Sequence, residues 1–292
     1  MERSYKKRAL LEIVMKNVFL AAACMSVLCV ALICIFLFAN GLPAMGEIGV
    51  LNFLSGTRWK PGADIYGIFP MILGSIYVTA GALLMGVPVA LLTAIYLAFF
   101  CPKKLYRVLK PAVELLAGIP SVVYGLVGMI VLVPGIQKAF GLSSGACLLA
   151  AMIVLAIMIL PSIINVSETA LRAVPKEYEE ASLALGAAEM ETYFRVSVHA
   201  ARSGIAAAVV LGVGRAIGEA MAIILVAGNV SNMPGLFTPV RFLTTGIISG
   251  MAYASVGSLY QQALYSIGLV LFLFIMLINV FLNVCVKNRK EG

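Results

Sequence analysis

Charge is what this sequence has least of. Aspartate, glutamate, lysine and arginine together make up 12% of its 292 residues, whereas 62% are hydrophobic and the mean hydropathy is +1.05. Soluble domains carry about 25% charged residues, so the deficit excludes that class and points to an integral membrane protein. Histidine and tryptophan occur once each. The six cysteines, Cys24, Cys29, Cys34, Cys101, Cys147 and Cys285, form no C-x-x-C or Cys/His spacing. The first three lie five apart, a rotation of about 140° per step on a helix, and share no face. They read as small apolar residues, with no metal site and no disulfide framework. No nucleophile is paired with a base, which leaves an enzyme or sensor without support. No G-x-x-x-x-G-K-[ST] phosphate loop is present either, so the chain consumes no ATP by itself. The net charge of +8 raises nucleic acid as a partner. With no basic repeat and one tryptophan, the placement of the charges fits the positive-inside rule instead. Neither nucleic acid nor a cofactor is expected.

What the sequence has in quantity is long apolar runs. A basic segment, residues 1–16, precedes an apolar stretch from Val18 to Phe38. That stretch is longer than the roughly 7–15 residues of a signal peptide's core, so it reads as a retained first span. Asn40-Gly41-Leu42-Pro43 then leads into a less apolar loop. Further spans are expected at Ile68–Phe100, containing Pro88, at Leu115–Val133 behind Pro111, at Cys147–Val166, at 204–227 and at Leu264–Val284. Gln137 and Lys138 mark the turn after the third, and residues 167–203, rich in charge, read as water-exposed or partner-bound. Of the 21 lysines and arginines, 16 fall on the side of the two termini and of residues 103–110 and 172–202. Four (Arg58, Lys60, Lys138 and Arg241) fall on the other side, and Arg215 lies within a span. This bias places both termini in the cytoplasm and residues 229–262 outside.

Arg215 and Glu219 stand in the middle of the apolar run from Gly204 to Val226. A charge at the centre of a spanning helix costs about 2.5–3.5 kcal/mol even on the lenient insertion scale. Four residues apart on a helix, the two share a face and partly neutralise each other. A structural ion pair and an ion pathway both explain them. The run Gly212-Val213-Gly214-Arg215-Ala216-Ile217-Gly218 is not a dinucleotide fingerprint, since its spacing is G-x-G-x-x-x-G inside a span; its glycines suit close helix packing. Glu114, four residues after Lys110, reads as half of a surface ion pair.

In the 167–203 segment, Pro175 and Glu177, Glu179 and Glu180 suit a helix start, and Gly186 a helix end. Tyr178, Ala181, Ser182 and Leu185 recur on one face of this helix of about ten residues. Glu180-Ala181-Ser182, three residues, Gly186, nine residues and Val196-Ser197-Val198 resemble the EAA loop of ABC-importer permeases, with His199 where that family usually has proline. Three further blocks narrow the resemblance to the permeases of PstC type in high-affinity phosphate importers. They are Ser55-Gly56-Thr57-Arg58-Trp59-Lys60-Pro61, the run from Glu114 through Gly118-Ile119-Pro120-Ser121 to Tyr124-Gly125, and Gly212 to Ala222. The likeness extends over about residues 17–286. It departs at Leu97-Ala98-Phe99-Phe100, where the family commonly has a Leu-x-Glu setting.

The resemblance implies an all-α membrane fold of six transmembrane helices, the type I ABC importer permease (MetI-like) fold. It divides the chain into a cytoplasmic segment 1–16, a first helix and outer loop 17–67, a permease core 68–286 with the coupling loop at 167–203, and a tail 287–292. It further implies a multi-pass subunit of the bacterial plasma (inner) membrane, surrounded by lipid. The implied partners are a PstA-type second permease, two cytoplasmic ATPase subunits, an extracytoplasmic phosphate-binding protein, and phosphate as cargo. Tyr178, Glu180, Ala181, Ser182, Leu185 and Gly186 would meet the ATPase. Arg215 and Glu219 are expected on the translocation path, with Ser121 and Tyr124, at the Ile119-Pro120 break, in a lesser role. Sulfate or molybdate as cargo, or a secondary transporter, remain open alternatives at this level.

Overall fold

The computed structural model describes residues 2–288, with side-chain surroundings for residues 11–281. The side chains of Arg3, Lys6, Lys7, Arg8 and Cys285 and the expected tail 287–292 lie outside the latter range. Helix α1 (Glu2–Ile48) runs without interruption through the expected basic segment, the first span and Pro43. The less apolar segment expected after Asn40–Pro43 therefore begins as helix, and α1 ends only at Ile48. Gly41 is seated on the backbone of Tyr265 and Ser266, and the Ser266 hydroxyl donates to the Gly41 carbonyl at 2.6 Å. Between residues 11 and 38 the apolar side chains of α1 are exposed on all sides, as suits a helix covered by lipid or by another subunit.

Helix α2 (Val50–Ser55) and a short antiparallel hairpin, β1 (Trp59–Lys60) with β2 (Ile65–Tyr66), follow. Trp59 and Tyr66 pack edge to face at 5.5 Å and close over a small core of Phe53, Ile68, Met71 and Leu264. Burial, followed by the Asp64 hydrogen bond, pushes the Tyr66 hydroxyl up to about 12.

Helix α3 (Phe69–Ile95) passes straight through Pro88 and ends in a π turn, Tyr96–Phe100. It lies along α7 (Leu148–Arg172), the central helix of the molecule. Gly86 permits the approach, because a side chain there would stand about 3.2 Å from the Ala156 carbonyl and Ile159. Between them, α4 (Lys103–Gly118) contains Pro111 rather than starting at it. The third span is Ser121–Phe140, not Leu115–Val133. It comprises α5 (Ser121–Val127), a π turn and α6 (Val133–Phe140), so that Gln137 and Lys138 are helical and the turn starts at Gly141.

Past α7 come α8 (Lys176–Ala184), α9 (Glu189–Glu191), a π turn Thr192–Ser197 and α10 (Val198–Ala200). Next are α11 (Arg202–Gly218) and α12 (Met221–Ile224). The expected extramembrane loop 229–262 holds a further buried helix, α13 (Leu243–Met251), before α14 (Leu259–Asn288). The segment ahead of α13 folds back so that the Thr238 and Leu236 carbonyls accept from the Leu148 and Leu149 N–H groups at 3.2 and 2.9 Å. Helix starts leave such donors unpaired, and an apolar surrounding makes them costly.

Five stretches are long and apolar enough to cross a membrane: Leu11–Ile48, Phe69–Phe100, Ser121–Phe140, Leu148–Arg172 and Leu259–Phe281. Among the described residues, a bent pair, Glu189–Ala200 with Arg202–Gly218 at 69°, makes a sixth if it is counted as one broken span. The chain is an all-α, multi-pass membrane protein.

Candidate functional site: a broken span and a braced surface helix

Helix α11 stops at Gly218, and Glu219 is extended (φ −73°, ψ 135°). The expected shared face of Arg215 and Glu219 is therefore lost. An i, i+4 contact requires the helix to continue through both residues. Glu219 is instead held by the break: its Oε1 accepts from the Ala222 N–H at 2.9 Å, and its carbonyl accepts from the Thr244 hydroxyl at 2.9 Å. The Arg215 Nη1 donates to the Ser162 hydroxyl on α7 at 3.0 Å. Both side chains are half-buried, and neither has an opposite charge within 4 Å among the described residues. A guanidinium carries five donors; Arg215 directs one to a neutral hydroxyl and keeps its full charge.

Of the three glycines near this point, Gly212 permits close packing, since a side chain would fall 2.7 Å from Ile163. A side chain added at Gly214 or Gly218 would meet nothing within 4 Å, so the packing role expected of all three belongs to one.

Ser121 opens α5 directly after Ile119 and Pro120, both extended. The Tyr124 hydroxyl donates back across this break to the Leu116 carbonyl at 2.6 Å. Gly125 rests on the Ala222 backbone, where an added Cβ would lie 2.5 Å from the carbonyl oxygen. Thus α5, with Ser121 and Tyr124, is packed against the helix that Glu219 starts. The ring of Tyr124 faces an otherwise apolar cavity of about 570 Å³, lined by Val127, Val131, Ile153 and Ile157 among others. Arg241, in the segment before α13, donates to the Asn229 carbonyl at 2.8 and 3.1 Å, and burial holds its guanidinium below the usual arginine range.

On the opposite side, Pro175 precedes α8 and Gly186 ends it with φ 86°, a left-handed conformation that glycine adopts freely. Tyr178, Glu180, Ala181 and Leu185 are exposed, Leu185 to 90%. Ser182 is turned the other way, within 2.9 Å of the Thr192 hydroxyl, while the Ser197 hydroxyl donates to Glu179 at 3.2 Å. Thr192 and Ser197 are fully buried. The expected four-residue face is thus divided: Tyr178, Ala181 and Leu185 point outward, and Ser182 braces the helix from behind. His199 sits 3.4 Å from Arg202 in a neighbouring cleft.

A buried carboxylate also emerges that the sequence reading placed in a water-exposed segment. Glu168 is 1% exposed. Its Oε1 accepts from the Tyr106 hydroxyl at 2.7 Å and from Arg172 Nε at 2.8 Å, and its Oε2 from Lys110 Nζ at 2.7 Å. Lys110 also donates to Asn165 at 2.9 Å, and Arg172 reaches the Leu97 carbonyl at 2.7 Å. The Lys110–Glu114 pair expected from the sequence is present but longer, at 3.7 Å. The available signal was the spacing of Ser162, Asn165, Glu168 and Arg172, a polar stripe at helical period along α7.

Five helical spans and a bent, polar sixth among the described residues, with a short braced helix beside them, define a membrane transport permease. Residues 86–289 match the family described as binding-protein-dependent transport system inner membrane component, and the chain belongs to that family. It is 40% identical over 285 residues to the probable ABC transporter permease protein YqgH of Bacillus subtilis, covering 94% of this chain and 92% of that one. It is 33% identical over 297 residues to the phosphate transport system permease protein PstC of Mesorhizobium japonicum, covering 95% and 90%. The fold is that of the inward-facing MetNI methionine ABC transporter, with TM-score 0.56 and 21% identity over 76% of this chain and 94% of the other.

Proposed function

We propose that this chain is the permease subunit of an ATP-driven inorganic phosphate importer, and that Arg215 meets the anion on its way through the membrane. The observation that carries this is the Arg215 guanidinium itself: it stands in an apolar span, bonded to one neutral hydroxyl and, among the described residues, to no carboxylate. A forked, permanently charged donor suits an oxyanion that needs a transient counter-charge. The relatives named for phosphate transport support the choice of cargo. Glu219, with one oxygen on the Ala222 N–H, offers its other to the protonated phosphate oxygen that sulfate lacks, and keeps the anion from stalling. Ser121 and Tyr124 belong to the same path as its hinge.

In this reading the chain forms half of the path, with a PstA-type permease as the other half, and residues 68–286 are the permease core. Two ATPase subunits serve the complex, and one of them docks on the exposed face of α8, through Tyr178, Glu180, Ala181 and Leu185, with Ser182 and Gly186 setting the helix in place. Hydrolysis belongs to those subunits and this chain is non-catalytic. Both termini are cytoplasmic, and a phosphate-binding protein meets the opposite side. Uptake of labelled phosphate by vesicles, with sulfate as competitor, tests it. Phosphate uptake that resists excess sulfate and disappears in Arg215→Gln is the expected result; uptake unchanged in Arg215→Gln, in an assembled complex, overturns it.

A further inference from the structure

We infer that Glu168 is a positioning residue for transport: it fastens α4 to α7, so that a displacement of α8 reaches the Gly118–Pro120 break and Arg215 together. The inference rests on reading α8 as the ATPase-docking helix. Only Ala173, Val174 and Pro175 separate Arg172, the last residue of α7, from α8. A push on α8 is therefore delivered to the end of α7.

What α7 carries with it is set by its polar stripe. Apolar helix faces can slide over one another, whereas three charge-assisted bonds of 2.7–2.8 Å on one carboxylate fix a single register. Two of the donors, Tyr106 and Lys110, are on α4. Lys110 is held a second time by Asn165 of α7, and Arg172 ties the same cluster to the π turn at the end of α3 through the Leu97 carbonyl. Beyond this clamp, the bond from the Tyr124 hydroxyl to the Leu116 carbonyl is a single neutral one. The helix ends at Gly118, where an added side chain would meet nothing within 4 Å, and the next two residues are extended. The geometry is that of a lever clamped near its middle and hinged at its tip, where Ser121 and Tyr124 begin.

The same helix holds Arg215. Ser162, its hydrogen-bond partner, is six residues before Glu168, about 9 Å along the axis at 1.5 Å per residue. One rigid helix therefore bears both the clamp on α4 and the contact to the core arginine. A buried carboxylate with all its donors satisfied costs desolvation that apolar residues would avoid. Fixing the α4–α7 register is what that arrangement supplies.

The test uses the whole transporter, this chain with its partner subunits, in proteoliposomes, and reads ATP hydrolysed per phosphate imported. In Glu168→Gln the ATPase remains bound and active while phosphate imported per ATP falls about tenfold, within the range of coupling changes from residues between two sites. Lys110→Met does the same and Lys110→Arg preserves coupling. An unchanged ratio in Glu168→Gln overturns the inference. Should Glu168→Gln fail to assemble, a second measurement decides. Lys110→Cys with Asn165→Cys, in a chain whose native cysteines are replaced by alanine, is bridged by a short cleavable reagent. Without its Lys110 donor this variant imports little phosphate per ATP before bridging; a bridge that restores the ratio supports a fixed α4–α7 register, and a bridge that lowers it further until cleavage overturns it. Glu180→Lys separates the two readings. If it leaves coupling intact, the docking role of α8 fails and this inference with it; if it uncouples while Glu168→Gln is unaffected, only the role of Glu168 falls.

Discussion

Two polar clusters share helix α7, and they are built on opposite terms. At Glu168 every oxygen is occupied, by two cations and a hydroxyl from α4 and α7. At Ser162, less than two turns away, a half-buried arginine has one neutral partner and, among the described residues, no counter-charge within 4 Å. Net attraction inside a protein survives only where donors and acceptors are matched, so the first cluster holds helices together. The second holds little, and in the function proposed above it keeps its capacity for a passing anion. On that proposal, side chains of the same kinds do structural or transport work according to how completely they are paired.

The comparison is broken or sharpened most strongly at Arg215. Arg215→Gln should lower phosphate uptake about 100-fold or more, equivalent to about 2.7 kcal/mol, with little change in the thermal stability of the complex. Arg215→Lys should recover part of it, because a point charge replaces a fork. A variant that unfolds instead would assign Arg215 to the structural class.

Glu168→Leu should behave in the reverse way. Leaving Lys110 and Arg172 without their carboxylate costs up to about 3–5 kcal/mol for a fully buried pair. Arg172 is nearly half exposed, so a loss of about 2–3 kcal/mol in unfolding free energy, discounted for that exposure, is the expected outcome. Thermal denaturation of the purified complex measures it.

These contrasts also explain what the sequence disclosed and what it did not. Helix α8 was legible to within a residue or two because its boundaries are local: Pro175 at one end, Gly186 in a left-handed conformation at the other. The presence of the five unbroken spans was legible from apolar length, though the third lies several residues later than its apolar run suggests. The separation of Arg215 from Glu219 was not, since the groups that hold the break, Ala222 and Thr244, act through the folded chain, the second from 25 residues away. Glu168 was missed because the apolar run ends near Val166 while the helix continues to Arg172, where Tyr106 and Lys110, roughly 60 residues earlier, supply the compensation.

Glu219→Gln isolates charge from architecture. The amide oxygen can still accept from the Ala222 N–H, so the helix break persists while the negative charge is lost. Phosphate transport should fall about tenfold, about 1.4 kcal/mol, and discrimination against sulfate should narrow. Competition between the two anions in vesicles checks both. Unchanged discrimination would leave Glu219 with the break alone.

Tyr124→Phe should have the smallest effect, and it decides on which side of the comparison this residue belongs. Its hydroxyl is already given to the Leu116 carbonyl at 2.6 Å, and its ring faces apolar side chains. Removing it leaves one carbonyl at the hinge with a lost partner, about 1 kcal/mol. The expected change is therefore a maximal transport rate altered by about fivefold at most, with the KM for phosphate constant, because the hinge moves and the anion contact does not. A raised KM at constant maximal rate would mean that the hydroxyl leaves Leu116 to meet the anion. Tyr124 would then join Arg215 among the groups kept unpaired for cargo.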